Sequence, residues 1–288
     1  MKKYYQLMIL AVPLLFLLVH IYSVSAASGV AAYYVGPREV YDAAILDGRA
    51  REIINTTSNT LFIPVRTLAE QQSFLNNLPV GVAIWNDCGD NFVDPRDSNI
   101  YPTVQIGNQC WMKKNMAYLP AVVPGATGST ATPYYYVAGY NGTDVSAAKA
   151  IPYYTTYGVL YNWPAALTAC PASWHLPSDA EYKTLEMYLG MTQAQADATL
   201  FRGNDEGMKL ITYGVNPGYN SSGFTALMAG YRSIQNGAFY NIGTLTDYWT
   251  STADSTAAYW RHLELASVQV HRDSYNKGFG CSVRCLKN

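Results

Sequence analysis

YGVLYNWPAALTACPASWHLPSDAEYKTL, residues 157–185, packs two helix starts and a cysteine into one short span. Asn162 offers a side-chain oxygen to cap a helix, and Pro164 brings a preset backbone angle just inside it. Trp163, Ala166, Leu167 and Cys170 then fall at i, i+3, i+4 and i+7, so the spacing predicts a helix with that face inward, ending at the cysteine. Ser178-Asp179-Ala180-Glu181 reads as a capping box, in which Ser178 and Glu181 satisfy each other's backbone N–H. It opens a helix that buries Tyr182, Leu185 and Leu189. Thr192 with Gln195 repeats the device and opens a third, shorter helix.

Downstream, from Phe201 to the end, the pattern becomes short strands joined by Gly-Asn-Ser turns. Leu263, Leu265, Val268 and Val270 alternate with polar residues, and the phase slips near Ala266-Ser267, which predicts a bulge or bend. Asp273 to Gly278 reads as a polar turn. Phe279 to Leu286 reads as a closing strand with Cys281, Val283 and Cys285 on one face and Ser282, Arg284 and Leu286 on the other. Upstream, Val104-Gln105-Ile106 and Trp111-Met112 predict a hairpin around Gly107-Asn108. Residues 119–158 are loop-rich, with Tyr134-Tyr135-Tyr136 at their centre. Residues 27–86 form a separate piece with candidate helices at 38–54 and 67–75, and a stalk or docking role is its default.

The N-terminus predicts export. Lys2 and Lys3 precede an apolar run from Leu7 to Val19, and Val24-Ser25-Ala26 carries small residues where a signal peptidase cuts. That run is shorter than the roughly 20 residues a spanning helix needs, so a membrane is expected to be met only through the signal peptide or, as the alternative, an uncleaved anchor. The division is therefore a signal peptide at 1–26, a stalk or docking segment at 27–86 and a main domain at 87–288. Cleavage after Ala26 removes two lysines and no acid, leaving 17 basic against 20 acidic residues. That balance, with no basic run, speaks against nucleic acid as a partner. Charged residues make up only 14% of the chain while tyrosine alone counts 25. Tyrosine offers a rigid apolar face and a hydroxyl, so the composition suits recognition as well as a β-rich core.

Five blocks carry a family resemblance: DPRDSNIYPTVQIGNQCWMKKNM (94–116), the stretch quoted at the outset, SGFTALMAGYR (222–232), YWTST (248–252) and SVRC (282–285). In this order they resemble the Fibrobacter succinogenes major paralogous domain over about residues 87–288. That family is similar in turn to C-type lectins and more distantly to formylglycine-generating enzymes. The resemblance implies an α+β, C-type-lectin-like fold: two or three short helices on small twisted antiparallel sheets, long loop-rich insertions, and disulfides. It implies Cys170 bonded to Cys285 and suggests Cys88 bonded to Cys110. By loop entropy these would contribute at most roughly 5 and 3 kcal/mol. Cys281 stands in GCSVRC where the family has Phe in GFSVRC. Within one strand Cys281 and Cys285 are about 13 Å apart, against about 5.5 Å for bridged Cα atoms. A buried free thiol is the reading for Cys281, with an intermolecular bridge as the alternative.

No catalytic constellation stands out. His175, His262 and His271 lie far apart in sequence and outside any HxxxH or HxxE arrangement, and GxSxG, phosphate-loop and dinucleotide fingerprints are missing. Trp85-Asn86-Asp87-Cys88 spells a motif of sugar-binding lectins, but it precedes the domain and lacks its acidic partner loop, so it reads as coincidence. Asp90, Asp94 and Asp97 have a calcium-like density, yet Asx turns account for them equally well, so no cofactor is expected and calcium is not favoured. In lectin-like folds the late loops and strands form the ligand face. Here that implies Tyr231, Arg232, Tyr240, Asn241, Asp247, Tyr248, Tyr259, Arg261, His262, His271, Arg272, Asp273, Tyr275 and Asn276. The expected function is an exported cell-surface ligand-binding or adhesion protein whose partner is a glycan or protein and which is not an enzyme. Similar domains serve as variable proteins of diversity-generating retroelements, which adds that role as a sharper expectation. The alternatives are a thiol- or carbohydrate-active enzyme and a structural envelope protein.

Overall fold

The structure is a computed structural model that describes residues 17–23, 31–36, 61–65, 84–85, 88–212 and 218–288. The chain divides into two compact units, Met1–Asn91 and Phe92–Asn288. The first contains β1 (Leu17–Ser23), β2 (Ala31–Gly36), β3 (Leu61–Val65) and β4 (Ile84–Trp85), in the order β3-β1-β2-β4. The candidate helices at 38–54 and 67–75 lie outside the described residues, as does most of the apolar leader. β1 begins inside that leader, where Val19, Ile21 and Tyr22 have the branched and aromatic side chains that suit a strand.

The second unit is α+β, mostly antiparallel sheet with short helices. A five-stranded sheet joins β5 (Asn91–Val93), β6 (Ile100–Ile106), β7 (Gln109–Met112), β10 (Trp174–His175) and β17 (Leu286–Lys287) in the order β10-β17-β7-β6-β5. The tail thus becomes an interior strand, pairing Leu286 with Trp111 on one side and His175 on the other. The β6–β7 hairpin closes through Gly107-Asn108, as expected, with Ile106 opposite Gln109. Gly107 has φ +59, and a Cβ there would meet the Tyr188 ring at 2.8 Å, so both backbone and contact call for glycine. Two small ladders pair β8 (Tyr135–Tyr136) with β9 (Leu160–Tyr161) and β12 (Tyr231–Arg232) with β13 (Phe239–Tyr240).

A four-stranded antiparallel sheet holds β11 (Leu200–Arg202), β14 (Leu245–Asp254), β15 (Ala257–Glu264) and β16 (Val270–Asn276) in the order β11-β16-β15-β14. At its β15–β16 link the expected bulge or bend is a bend: the phase slip at 266–267 belongs to the turn between the two strands, which leaves Val268 42% exposed. β16 runs on to Asn276, so Asp273 lies within a strand rather than in a turn.

The helices are α1 (Val145–Lys149), α2 (Pro152–Tyr157), α3 (Trp163–Ala166), α4 (Asp179–Leu189), α5 (Gln193–Asp197) and α6 (Glu206–Leu210). Both capping boxes form as predicted, at Ser178–Glu181 and Thr192–Gln195. α4 buries Tyr182 and Leu185, each worth about 1.5–3 kcal/mol against water. Asn162 caps α3 by accepting from the Ala165 N–H, yet α3 is a single turn and Leu167 is 45% exposed. The i+4 and i+7 positions therefore do not form the predicted face. Trp163 instead donates its indole N–H to the Thr250 carbonyl. α1, α2 and α6 are additions that periodicity does not reveal, since each has at most six residues.

The closing segment departs most from expectation. It bridges to Tyr161, Arg232 and Tyr248 through residues 280–282 and becomes regular strand only at β17. Cys281, Ser282, Val283, Arg284, Cys285 and Leu286 are all buried, so both sides of this segment face the interior. Cys170 and Cys285 are bonded, 115 residues apart in sequence, with Cα atoms 5.8 Å apart. Cys88 and Cys110 are also disulfide-bonded, and Cys281 is a buried free thiol. The main core gathers Trp111, Tyr182, Leu185, Phe224, Tyr248, Leu263 and Leu286 between α4 and the two larger sheets.

Candidate functional site

The pairing register of the four-stranded sheet sorts onto two faces the ten expected site residues that it carries; Tyr231, Arg232, Tyr240 and Asn241 lie on or beside the β12–β13 ladder. Arg261 pairs with Arg272 and with Tyr248, so these three share the face turned toward α4. There Arg261 donates to Glu186 Oε1 at 2.6 Å and Asp179 Oδ1 at 2.8 Å. Arg272 grips the same Asp179 through two bonds of 2.8 Å, and Arg202 reaches Glu186. Three guanidinium groups and two carboxylates are thus buried together. Burial alone would raise the Asp179 pKa, but hydrogen bonds and charge from Arg272 and Arg261 outweigh it and hold the carboxyl well below its usual range. Tyr259 lies over Arg272, its ring centre 4.4 Å from the guanidinium carbon.

Arg232, on β12, is buried as well, donating to the carbonyls of Gly125 and Gly278 at 2.7 and 3.0 Å. Arg232, Asp247, Tyr248, Arg261 and Arg272 therefore lie inside the domain, where no external partner reaches them. The expectation that these five stand on an exposed ligand face is therefore corrected: they are interior side chains. The physical reason is that a guanidinium can satisfy several buried acceptors at once.

The opposite face carries Asp247, His262, His271, Asp273 and Tyr275. Phe201, His271, His262 and Asp247 are direct cross-strand partners, one from each strand. His262 and His271, distant in sequence, stand with ring centres 5.8 Å apart. From this row a chain of rings runs outward. His271 meets Trp260 at 5.5 Å, Trp260 stacks on Tyr275 at 4.0 Å, and Tyr275 stacks on Phe279 at 4.5 Å. Phe279 then touches Tyr231 at 6.0 Å, and Tyr231 touches Tyr240 at 5.8 Å. The chain reaches solvent at both ends, at Tyr240 (39% exposed) and Phe201 (41%), flanked by exposed Asn236, Asn241 and Asn276. Asp273 is half-buried beside it, whereas Tyr259, also half-buried, lies on the Arg272 face. Residue-type reasoning missed Trp260, Phe279 and Phe201. The Trp260–His262 spacing of two was a legible signal, whereas Phe201 needed the strand pairing.

Beneath the rings sits a charged pair. His262 Nδ1 lies 2.8 Å from the buried carboxylate of Asp247, and its Nε2 lies 3.4 Å from Glu264. Burial pushes the Asp247 carboxyl up to about 6, with the His262 contact opposing it. His262 is shifted upward: burial opposes the proton, but Asp247 and Glu264 outweigh it. His271 is shifted downward by burial and by the neighbouring His262 charge. Burial and the Asp247 charge push the Cys281 thiol well up, which makes it a poor nucleophile. Among the described residues no group of three or more His, Cys, Asp or Glu is arranged to hold a metal ion. Asp94 and Asp97 cap their own turns, accepting from the N–H groups of Arg96 and Asn99, so the Asx-turn reading holds for these two. Asn86 and Asp87 of the lectin-like tetrapeptide lie outside the described residues.

Such a molecule belongs to the small disulfide-bonded α+β domains, with a buried ionic scaffold behind a sheet and an aromatic face in front. The Fibrobacter succinogenes major domain model matches residues 104–287, and the chain belongs to that family. No curated protein and no solved structure matches the chain.

Proposed function

We propose that this chain is an exported cell-surface recognition or adhesion module that binds a glycan or protein through the aromatic face of its late strands. The observation that carries this reading is the unbroken run of rings from Tyr240 to Phe201, open to solvent at both ends. Aromatic anchors bordered by asparagines suit adaptable recognition, and the disulfide and ionic scaffold behind them lowers the entropy lost on binding. Two disulfides favour an oxidising compartment, in keeping with the leader-like N-terminus. No helix among the described residues is long and apolar enough to cross a membrane. A C-type-lectin-like architecture is the finer form of this fold: a disulfide ties the segment just after α3 to the tail, and the tail lies inside a sheet.

The test has two stages. A glycan and host-protein array probed with the purified protein identifies a ligand. Tyr240→Ala, Asn241→Ala and Asn276→Ala are then combined, all three being exposed. Binding is expected to weaken at least about tenfold with little change in melting temperature. Unchanged binding removes the face from the function.

Exposed asparagines at 236, 241 and 276 also favour a second form of the reading, the variable protein of a diversity-generating retroelement. A surrounding locus with neither a reverse transcriptase nor a near-repeat of the last coding stretch would reject it.

A further inference from the structure

The row of four cross-strand partners carries a property that binding alone does not use. His271 is surrounded by rings: Phe201 at 4.8 Å, Trp260 at 5.5 Å and His262 at 5.8 Å. Its Nδ1 is buried and has no hydrogen-bond partner among the described residues. A neutral imidazole tolerates this position, because the unused atom is then a lone pair. An imidazolium does not, because Nδ1 becomes a buried donor without an acceptor, in a ring whose centre lies 5.8 Å from that of a second cation.

The strand that covers His271 is weakly held at one end. β11 is an edge strand joined to β16 by three residue pairs. Leu200 has φ +63, a left-handed conformation unfavourable for a branched side chain, and is 59% exposed. Phe201 is 41% exposed, so little apolar burial secures either residue. Arg202 is different. It is buried, bonded to the Val270 carbonyl at 3.0 Å and paired with Glu186.

We propose that Phe201, His271, His262 and Asp247 form an acid-sensitive latch, in which a proton added to His271 beside the imidazolium of His262 releases the Leu200–Phe201 end of β11 while Arg202 stays anchored.

The charges around the row favour this order of events. His262 faces Asp247 of β14 and Glu264 of its own strand, which hold its proton against burial. His271 faces His262 and Glu264 of β15, Asp273 of its own strand and Arg202 of β11. Burial and the His262 charge prevail there, so His271 takes its proton second. Asp247 faces, besides His262, Cys281 of the closing segment, Tyr231 of β12 and Tyr275 of β16. The sign follows from linkage. The folded state binds a proton at His271 less readily than the unfolded chain, so its contribution is full above the ordinary value of 6.5 and is lost as pH falls below it.

Hydrogen exchange of the segment 199–203 in the intact protein tests the latch, at about pH 7.5 and about pH 5.5 after correction for intrinsic rates, with α4 as internal reference. Wild type is expected to lose about tenfold of its protection in acid at this segment and not at α4. His271→Phe, which keeps a ring and removes the proton, should remain protected at both pH values. Unchanged protection in wild type overturns the proposal, and so does an acid response that survives in His271→Phe. Should that variant not fold, NMR titration of the wild-type imidazoles decides. Opening at the His271 midpoint supports the latch, and opening at any other midpoint overturns it.

Discussion

Replacing Asp179 with Asn and, separately, Arg261 with Met should cost unequal amounts of stability, with the acid the more expensive loss. The cluster sets Arg202, Arg261 and Arg272 against Asp179 and Glu186, so it holds one guanidinium more than it has carboxylates. Asp179→Asn leaves three buried cations to share Glu186, and removing one partner of a buried ionic group costs about 3–5 kcal/mol. Arg261→Met forfeits bonds to Glu186 and Asp179. It nevertheless leaves two matched pairs, Arg202–Glu186 and Arg272–Asp179, and puts an apolar chain of similar length in the gap. Its net cost should be about 2 kcal/mol, less than the sum of two charge-assisted bonds. With a slope of about 2 kcal/mol per molar urea, the unfolding midpoint should fall by about 2 M for Asp179→Asn and about 1 M for Arg261→Met at neutral pH. Tryptophan fluorescence reads both. The folded Asp179 carboxyl is held below its ordinary value of 3.8, so its contribution is present above that value and is lost as pH falls through the folded one. The gap between wild type and Asp179→Asn should therefore narrow in strong acid. Equal costs, or a larger cost for Arg261→Met, would refute the charge-excess reasoning.

Cys281 is fully buried with its pKa raised, so a thiol reagent should modify the native protein only at the rate of opening, and immediately in denaturant. Fast native labelling would place the thiol at the surface. Cys170→Ala with Cys285→Ala frees a link spanning 115 residues and should lower stability by up to about 5 kcal/mol, read as a fall in melting temperature; an unchanged melting temperature contradicts the tie. Arg284→Met should cost about 3–5 kcal/mol in urea unfolding, because the guanidinium serves the carbonyls of Met112, Phe224 and Thr225 and the side chains of Asn115 and Tyr248; a cost below about 1 kcal/mol would mean those acceptors find other donors.

What the sequence made legible was local. The two capping boxes and the Gly107-Asn108 turn need only neighbours within four residues, and all three form. Cysteine pairing was legible through family resemblance, since spacing leaves several pairings open. Periodicity misled where an element is too short to show a period: α3 is one turn, so a cap at Asn162 did not guarantee a face through Leu167. Alternation at the tail overstated the strand, which is regular only at Leu286–Lys287, and it could not tell that Ser282 and Arg284 are buried as well. The His262–His271 pair could not be seen at all without knowing that 262 lies opposite 271.

The arginines show why residue type alone put buried side chains among the expected site residues. Its elements are short and its loops long, so many backbone carbonyls are buried with no ladder partner, and such acceptors must be satisfied. Arg202, Arg232, Arg272 and Arg284 each donate to at least one backbone carbonyl, at Val270, Gly125, Ala198 and Phe224 among others. Planar, five-donor guanidinium groups thus do inside this domain what a longer sheet does in others. That demand draws arginine away from the surface, and in a chain only 14% charged it leaves tyrosine and asparagine to border the outer face. The same buried scaffold restrains the strands behind the rings, so the proposed ligand face would depend on aromatic contact and hydrogen bonding rather than on charge. Binding that weakens little with added salt follows from that division, and a steep salt dependence would put exposed charges, not the rings, at the contact.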